Sequence, residues 1–153
     1  MPRLFAALAL AVLAGPALAA DVPADVAAAV KAAMPQMKVA EAELKEREGR
    51  RYYDVEGTLP DGSEIELDLL QTPQGWQVVE IQRDIAWAAA PDAVRTAATS
   101  AWKGAPPARV IESTQTDGGV VYELFAPGRP QTPALEVMLK DGKASVLKEV
   151  WPH

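Results

Sequence analysis

The chain contains no cysteine. That absence excludes disulfides, thiol nucleophiles, thiolate metal sites and a lipid-modified cysteine behind a leader. Histidine is nearly as scarce: the only one is His153, the last residue, where chains usually fray. No Ser-His-Asp relay and no imidazole ligand set can form unless that tail folds back. Glycine-rich phosphate loops are missing too, because Asp117-Gly118-Gly119 lacks the basic and hydroxyl residues that would follow in one. Cations are outnumbered, 15 Lys plus Arg against 21 Asp plus Glu for a net charge of −6. The densest basic group, Arg47, Arg50 and Arg51, sits among Glu46 and Glu48, so no basic face exists for nucleic acid. No two carboxylates are fixed at a spacing that would do acid-base work. The expectation is a protein that is not an enzyme and carries no cofactor.

Long apolar runs are confined to the start. Arg3 and the terminal amine precede an unbroken apolar run, Leu4 to Leu13, and Ala17-Leu18-Ala19 offers small residues where a signal peptidase reads. Residues 1–19 therefore read as a secretory signal cleaved after Ala19. A membrane anchor fits less well, since Gly15-Pro16 interrupts the run before the ~20 residues needed to cross a bilayer. The expectation is a periplasmic or secreted protein with no stable membrane insertion after cleavage.

What is present is strand pattern. Ser63 to Leu70 alternates strictly, with Ile65, Leu67 and Leu69 on one side and Glu64, Glu66 and Asp68 on the other. Before it, Arg51 to Thr58 sets Tyr53 and Val55 against Tyr52, Asp54 and Glu56, and Pro60-Asp61-Gly62 makes the turn. After it, Thr72-Pro73-Gln74-Gly75 turns the chain into Trp76 to Arg83, rich in residues that favour a pleated surface. These three runs form an antiparallel meander.

Pro23 to Met37 carries Val26, Ala29, Val30, Ala33, Met34 and Met37 at helical spacing, with acidic residues in its first turn. A second helix opens at Pro91 or Asp92 and places Val94, Ala97, Ala98, Ala101 and Trp102 on one face, ending at Gly104. Laying Val26 on Val94 and Met34 on Trp102 brings Tyr53 onto Tyr122 with a one-residue gap and, with further small gaps, Glu66 to Leu69 onto Glu136 to Leu139 and Gly75 onto Gly142. Lys38 to Arg47 has high helix propensity. Its counterpart Arg109 to Thr116 is rich in β-branched residues, so we assign Lys38 to Arg47 to a strand. Asp84 to Ala90 reads as a link, and Pro127 to Pro133 as a loop. The fold class expected is α+β, as two tandem units, 20–85 and 86–153, each one helix packed on a four-stranded antiparallel meander.

This order resembles the PepSY and PepSY-like domains of exported bacterial proteins. The matching residues are Gly49, Tyr53, Val55, Asp61, Gly62, Leu67, Leu69, Gly75, Val79 and Glu80, then Tyr122, Leu124, Val137, Leu139, Asp141, Gly142, Val146 and Glu149. The segment Pro127 to Pro133 departs from the pattern, standing where the first copy has a tight turn. The resemblance implies a non-enzymatic exported module. Relatives occur in protease propeptides, where inhibition is proposed, and the tandem form is similar in architecture to β-lactamase inhibitor proteins, which grip an enzyme with a sheet face.

Two features could carry function. Tyr52, Trp76 and Val78 fall opposite Tyr53, Val79 and Ile81, and on an exposed sheet face they would anchor an exported protein partner. The competing reading, in which they fill a seam or lie under a helix, is the stronger of the two on sequence alone. The acidic stripe Glu64, Glu66 and Asp68, with Asp54 and Glu56 beside it, could bind a small ligand or a hard cation such as Ca2+. A flat strand offers such ligands in a row, and a solvated sheet face is favoured over a metal site. A module that binds or inhibits another protein is the first functional expectation, and a small-ligand or Ca2+ binder the alternative.

Overall fold

The computed structural model describes residues 22–129 and 131–151. The leader, its cleavage site, Pro130 and His153 lie outside the described residues. Eight strands follow one another in chain order across one antiparallel sheet. They are β1 (Lys38–Arg47), β2 (Arg50–Thr58), β3 (Glu64–Thr72), β4 (Gly75–Ile85), β5 (Arg109–Gln115), β6 (Val120–Phe125), β7 (Leu135–Lys140) and β8 (Lys143–Val146). Helix α1 (Ala24–Ala33) precedes β1, and α2 (Asp92–Ala101) lies between β4 and β5. Among the described residues no helix is long and apolar enough to cross a membrane.

The expectation of two tandem helix-on-four-strand units is corrected here: the sheet is single and continuous. Asp84 and Ile85, read as a link, extend β4, which pairs with β5 from Glu80↔Gln115 to Ile85↔Val110. A sheet edge is a row of unsatisfied N–H and C=O groups. Pairing β4 with β5 satisfies two such edges at once, which separate units would have left open. Only then does the chain leave the sheet, through a short 3-10 turn, Trp87–Ala89.

Register places both helices on one face. Val55, Leu67, Ile81, Thr114, Val120 and Leu139 stand in one cross-strand row. Its N-terminal members pack with Val26 and Val30 of α1, and Val120 and Leu139 with Val94 and Ala98 of α2. Between these two apolar regions the same face is polar: Arg83 binds Glu112 at 2.7 Å, and the Tyr122 hydroxyl donates to Glu112 at 3.1 Å.

Local sequence explains the boundaries. Helix α1 stops at Ala33, short of the expected Met37, because Pro35 disfavours helical geometry at Met34. The segment Lys38–Arg47 is a strand despite its helix propensity, since pairing with β2 outweighs a difference of tenths of a kcal/mol per residue. Glu48 and Gly49, at φ 52° and 73°, make the two-residue turn that joins β1 to β2. At Gly57 a Cβ would collide with the Lys38 carbonyl, where β1 bulges between Val39 and Glu41.

Candidate functional site on the helix-free face

Among the described residues the opposite face of the sheet has no helix over it, and it carries the row of carboxylates. Glu43, Asp54, Asp68 and Glu80 are cross-strand neighbours from β1 to β4, and Gln115 of β5 continues the row. The next row is Glu56, Glu66, Gln82 and Ser113. Thr58 pairs with Glu64 at the margin. Five carboxylates that share a face in the sequence pattern therefore share one in the structure.

They are not uniformly wet, as a solvated stripe would be. Asp68 is 2% exposed, and Asp54 and Glu80 are each 5% exposed. Cations and amides meet them there. The Arg47 guanidinium reaches Asp54 at 2.9 and 3.0 Å and Asp68 at 3.3 Å. Lys45 pairs with Asp54 as well and with Glu43 at 3.5 Å. Ser113 donates to Glu80, and the Gln115 amide donates to both at 3.0 and 2.8 Å. One oxygen of Asp68, Oδ1, is buried with no hydrogen-bond partner among the described residues.

Crowding of like charge in a partly dry site favours the proton-bound form. Burial, then Asp68, Asp54 and Glu56, push the Glu66 carboxyl up to about 7. Burial, then Asp54 and Glu80, push Asp68 up to about 6 against the pull of Arg47. Near neutral pH this face therefore holds an exchangeable proton.

Asp54, Glu66 and Asp68 offer carboxylate oxygens within 4.8 Å of one another. As a calcium site the set fits poorly. Calcium takes 6–8 oxygens wrapped around it, whereas these three lie along a sheet and Arg47 and Lys45 already engage two of them. Glu64, the remaining member of the expected metal set, stands at the margin, beside a cleft of about 250 Å3 lined by Glu56, Glu64, Glu66, Gln82, Asp84 and Arg109. Arg109 is held to Asp84 at 2.7 and 2.9 Å, stacks 5.5 Å over the Phe125 ring and also feels the Glu64 carboxylate, while Arg83, which lines the same cleft, is paired with Glu112.

The three residues expected to anchor a partner are divided between the faces. Tyr52 is on the helix-free face, half-buried, with Arg47 5.1 Å above its ring. Trp76 lies on the helix side, edge-on to Tyr53 at 5.1 Å, and its Nε1 donates to Asp25 of α1 at 3.0 Å. Val78 packs against the same apolar cluster. The cause is a bulge: β3 and β4 slip register between Asp68 and Leu69, so that Leu69 faces Val78 while Asp68 faces Glu80. Strict alternation would place Val78 opposite Ile81, and the extra residue puts both on one side. Residues that sequence reasoning missed are Lys45, Arg47, Glu80, Ser113 and Gln115. Alternation along Lys38 to Arg47 could have found the first two.

No protein-family model matches the chain, and no curated protein does. Solved structures are similar to it, two of them as follows. The crystal structure of a DUF2874 family protein from Bacteroides uniformis ATCC 8492 superposes with a TM-score of 0.54 at 20% identity, over 85% of this chain and 93% of that one. A protein from Bacteroides eggerthii DSM 20697, provisionally described as periplasmic, gives 0.55 at 18% identity, over 82% and 86%. At these identities the likeness speaks for the fold, and function must come from the site.

Proposed function

We propose that the protein is an exported, non-enzymatic binding module whose helix-free face takes a basic segment of another exported protein. The observation that carries the reading is the collection of carboxylates from β1 to β4 on the face that no helix covers among the described residues, beside a cleft that would admit a Lys or Arg side chain. Electrostatic complementarity of this kind steers and selects partners. Export is supported by the leader-like residues 1–19, by the resemblance to PepSY-like domains, and by the fold shared with a protein provisionally described as periplasmic.

The chemistry suits a cationic group in a specific way. A Lys or Arg side chain entering beside Glu66 stabilises its ionised form, so binding near pH 7 expels a proton. Calorimetric titration with a Lys/Arg-rich peptide tests this. The expected result is saturable binding whose heat varies with the ionisation enthalpy of the buffer, and which is lost in Glu56→Gln with Glu64→Gln. Binding that survives this double substitution would remove the face from consideration. A basic peptide that gives no heat at low salt would remove the ligand class.

A further inference from the structure

We propose that the protein pairs with a second copy of itself through the outer edge of β1, in one register set by charge. The two edges of the sheet differ. Strand β8 is four residues long and offers little to pair with. Strand β1 is ten residues long, contains no proline, and pairs with β2 only among the described strands. Such an edge is ordinarily blunted by scattered charge or by brevity. Here the charge is sorted. Beyond the bulge at Val39 and Glu41 the regular part of β1 runs from Glu41 to Arg47, and its helix-free face reads Glu41, Glu43, Lys45, Arg47.

The sorted order is complementary to its own reverse. An antiparallel partner placed by a two-fold axis at Leu44 sets Glu41 against Arg47 and Glu43 against Lys45, and then repeats both contacts on the other side of the axis. Opposite charges directly across a strand pair are favourable and like charges are not. Sliding the partner by two residues in one direction brings Glu43 against Glu43, and in the other Lys45 against Lys45. Of these three registers only the centred one avoids a like-charge pair, and moving the axis on to Ala42 sets Glu41 against Glu43.

Backbone phase agrees. The two-residue turn at Glu48 and Gly49 closes on a hydrogen-bonded pair, Arg47 with Arg50. Counting back by twos, Lys45 and Glu43 also turn their N–H and C=O groups toward β2, which leaves those of Ala42, Leu44 and Glu46 pointing outward. In the centred register these outward residues meet one another. The charged residues then occupy the non-hydrogen-bonded positions, where side chains approach most closely.

On the helix side the axis brings Leu44 onto its counterpart, and Leu44 is 42% exposed, an outlier among the large apolar side chains. Lys45 and Arg47 already bind Asp54 and Asp68, and Lys45 binds Glu43 of its own chain. With three and five N–H donors respectively, both retain donors for a second carboxylate. The axis is perpendicular to the sheet, so both helix-free faces point the same way and the carboxylate face is doubled.

Sedimentation equilibrium of the full chain as exported tests the pairing. The expected result is a mass that doubles with rising concentration, weakened by salt. Leu44→Lys and Glu43→Lys should each weaken the dimer at least about tenfold. Mixing Glu43→Lys with Lys45→Glu should restore a heterodimer that neither variant forms alone. Should Lys45→Glu fail to fold beside Asp54, the two other variants still decide, because Leu44 and Glu43 are both exposed. A chain that stays monomeric at all accessible concentrations would overturn the proposal, and so would a dimer indifferent to both substitutions.

Discussion

Leu67 and Asp68 are consecutive residues, both buried, on opposite faces of one strand. On the Leu67 side burial is done by helices, which cover Val55, Leu67 and Leu69 with Val26 and Val30, and the driving force is removal of apolar surface from water. On the Asp68 side no helix intervenes, and burial comes from neighbouring polar side chains laid across one another. The first face lowers the free energy of the fold. On the second, burial and like-charge crowding hold the Glu66 and Asp68 carboxyls above their ordinary range, an unfavourable contribution at neutral pH that the pairs of Arg47 and Lys45 with Asp54 and Asp68 oppose.

The contrast can be broken most forcefully from the apolar side. Leu67→Ala, at a fully buried position, should cost about 2–5 kcal/mol in a denaturant melt. Arg47→Met removes the guanidinium shared by Asp54 and Asp68 and should cost about 2 kcal/mol at pH 8. At pH 5 the loss should shrink, since Asp68, which titrates near 6, then carries its own proton. Glu66→Gln should have the opposite sign. The folded state binds this proton more tightly than the unfolded chain, whose carboxyl titrates near 4.5. Stability from Glu66 is thus full below about 4.5 and falls as pH rises through about 7. The variant should melt higher than the parent at pH 8 and match it at pH 4.5. The smallest effect is expected from Trp76→Phe, which deletes an exposed hydrogen bond to Asp25 and should cost about 0.5 kcal/mol.

Much of this was legible from alternation. Ile65, Leu67 and Leu69 against Glu64, Glu66 and Asp68 established β3 and its two faces, and the counterpart Arg109 to Thr116 correctly turned the Glu-rich segment before Gly49 into a strand. The joining of the halves was not legible. Asp84 and Ile85 read as a link because nothing local shows that a strand will find a partner 25 residues away. The bulge opposite Asp68 and Leu69 was equally hidden, and it alone put Val78 on the side of Ile81. Alternation revealed the acidic stripe but not its dryness, to which Arg47 contributes by reaching across from β1.

The measurement that bears most directly on the two-face reading is a thermal melt at pH 8 of the parent and Glu66→Gln, each with and without a saturating Lys/Arg-rich peptide. The parent should begin lower and rise with peptide, as any ligand that prefers the folded state requires. Glu66→Gln should begin higher and rise less. A variant that begins lower than the parent, or gains as much from the peptide, would contradict the claim that this face holds its charge for a ligand.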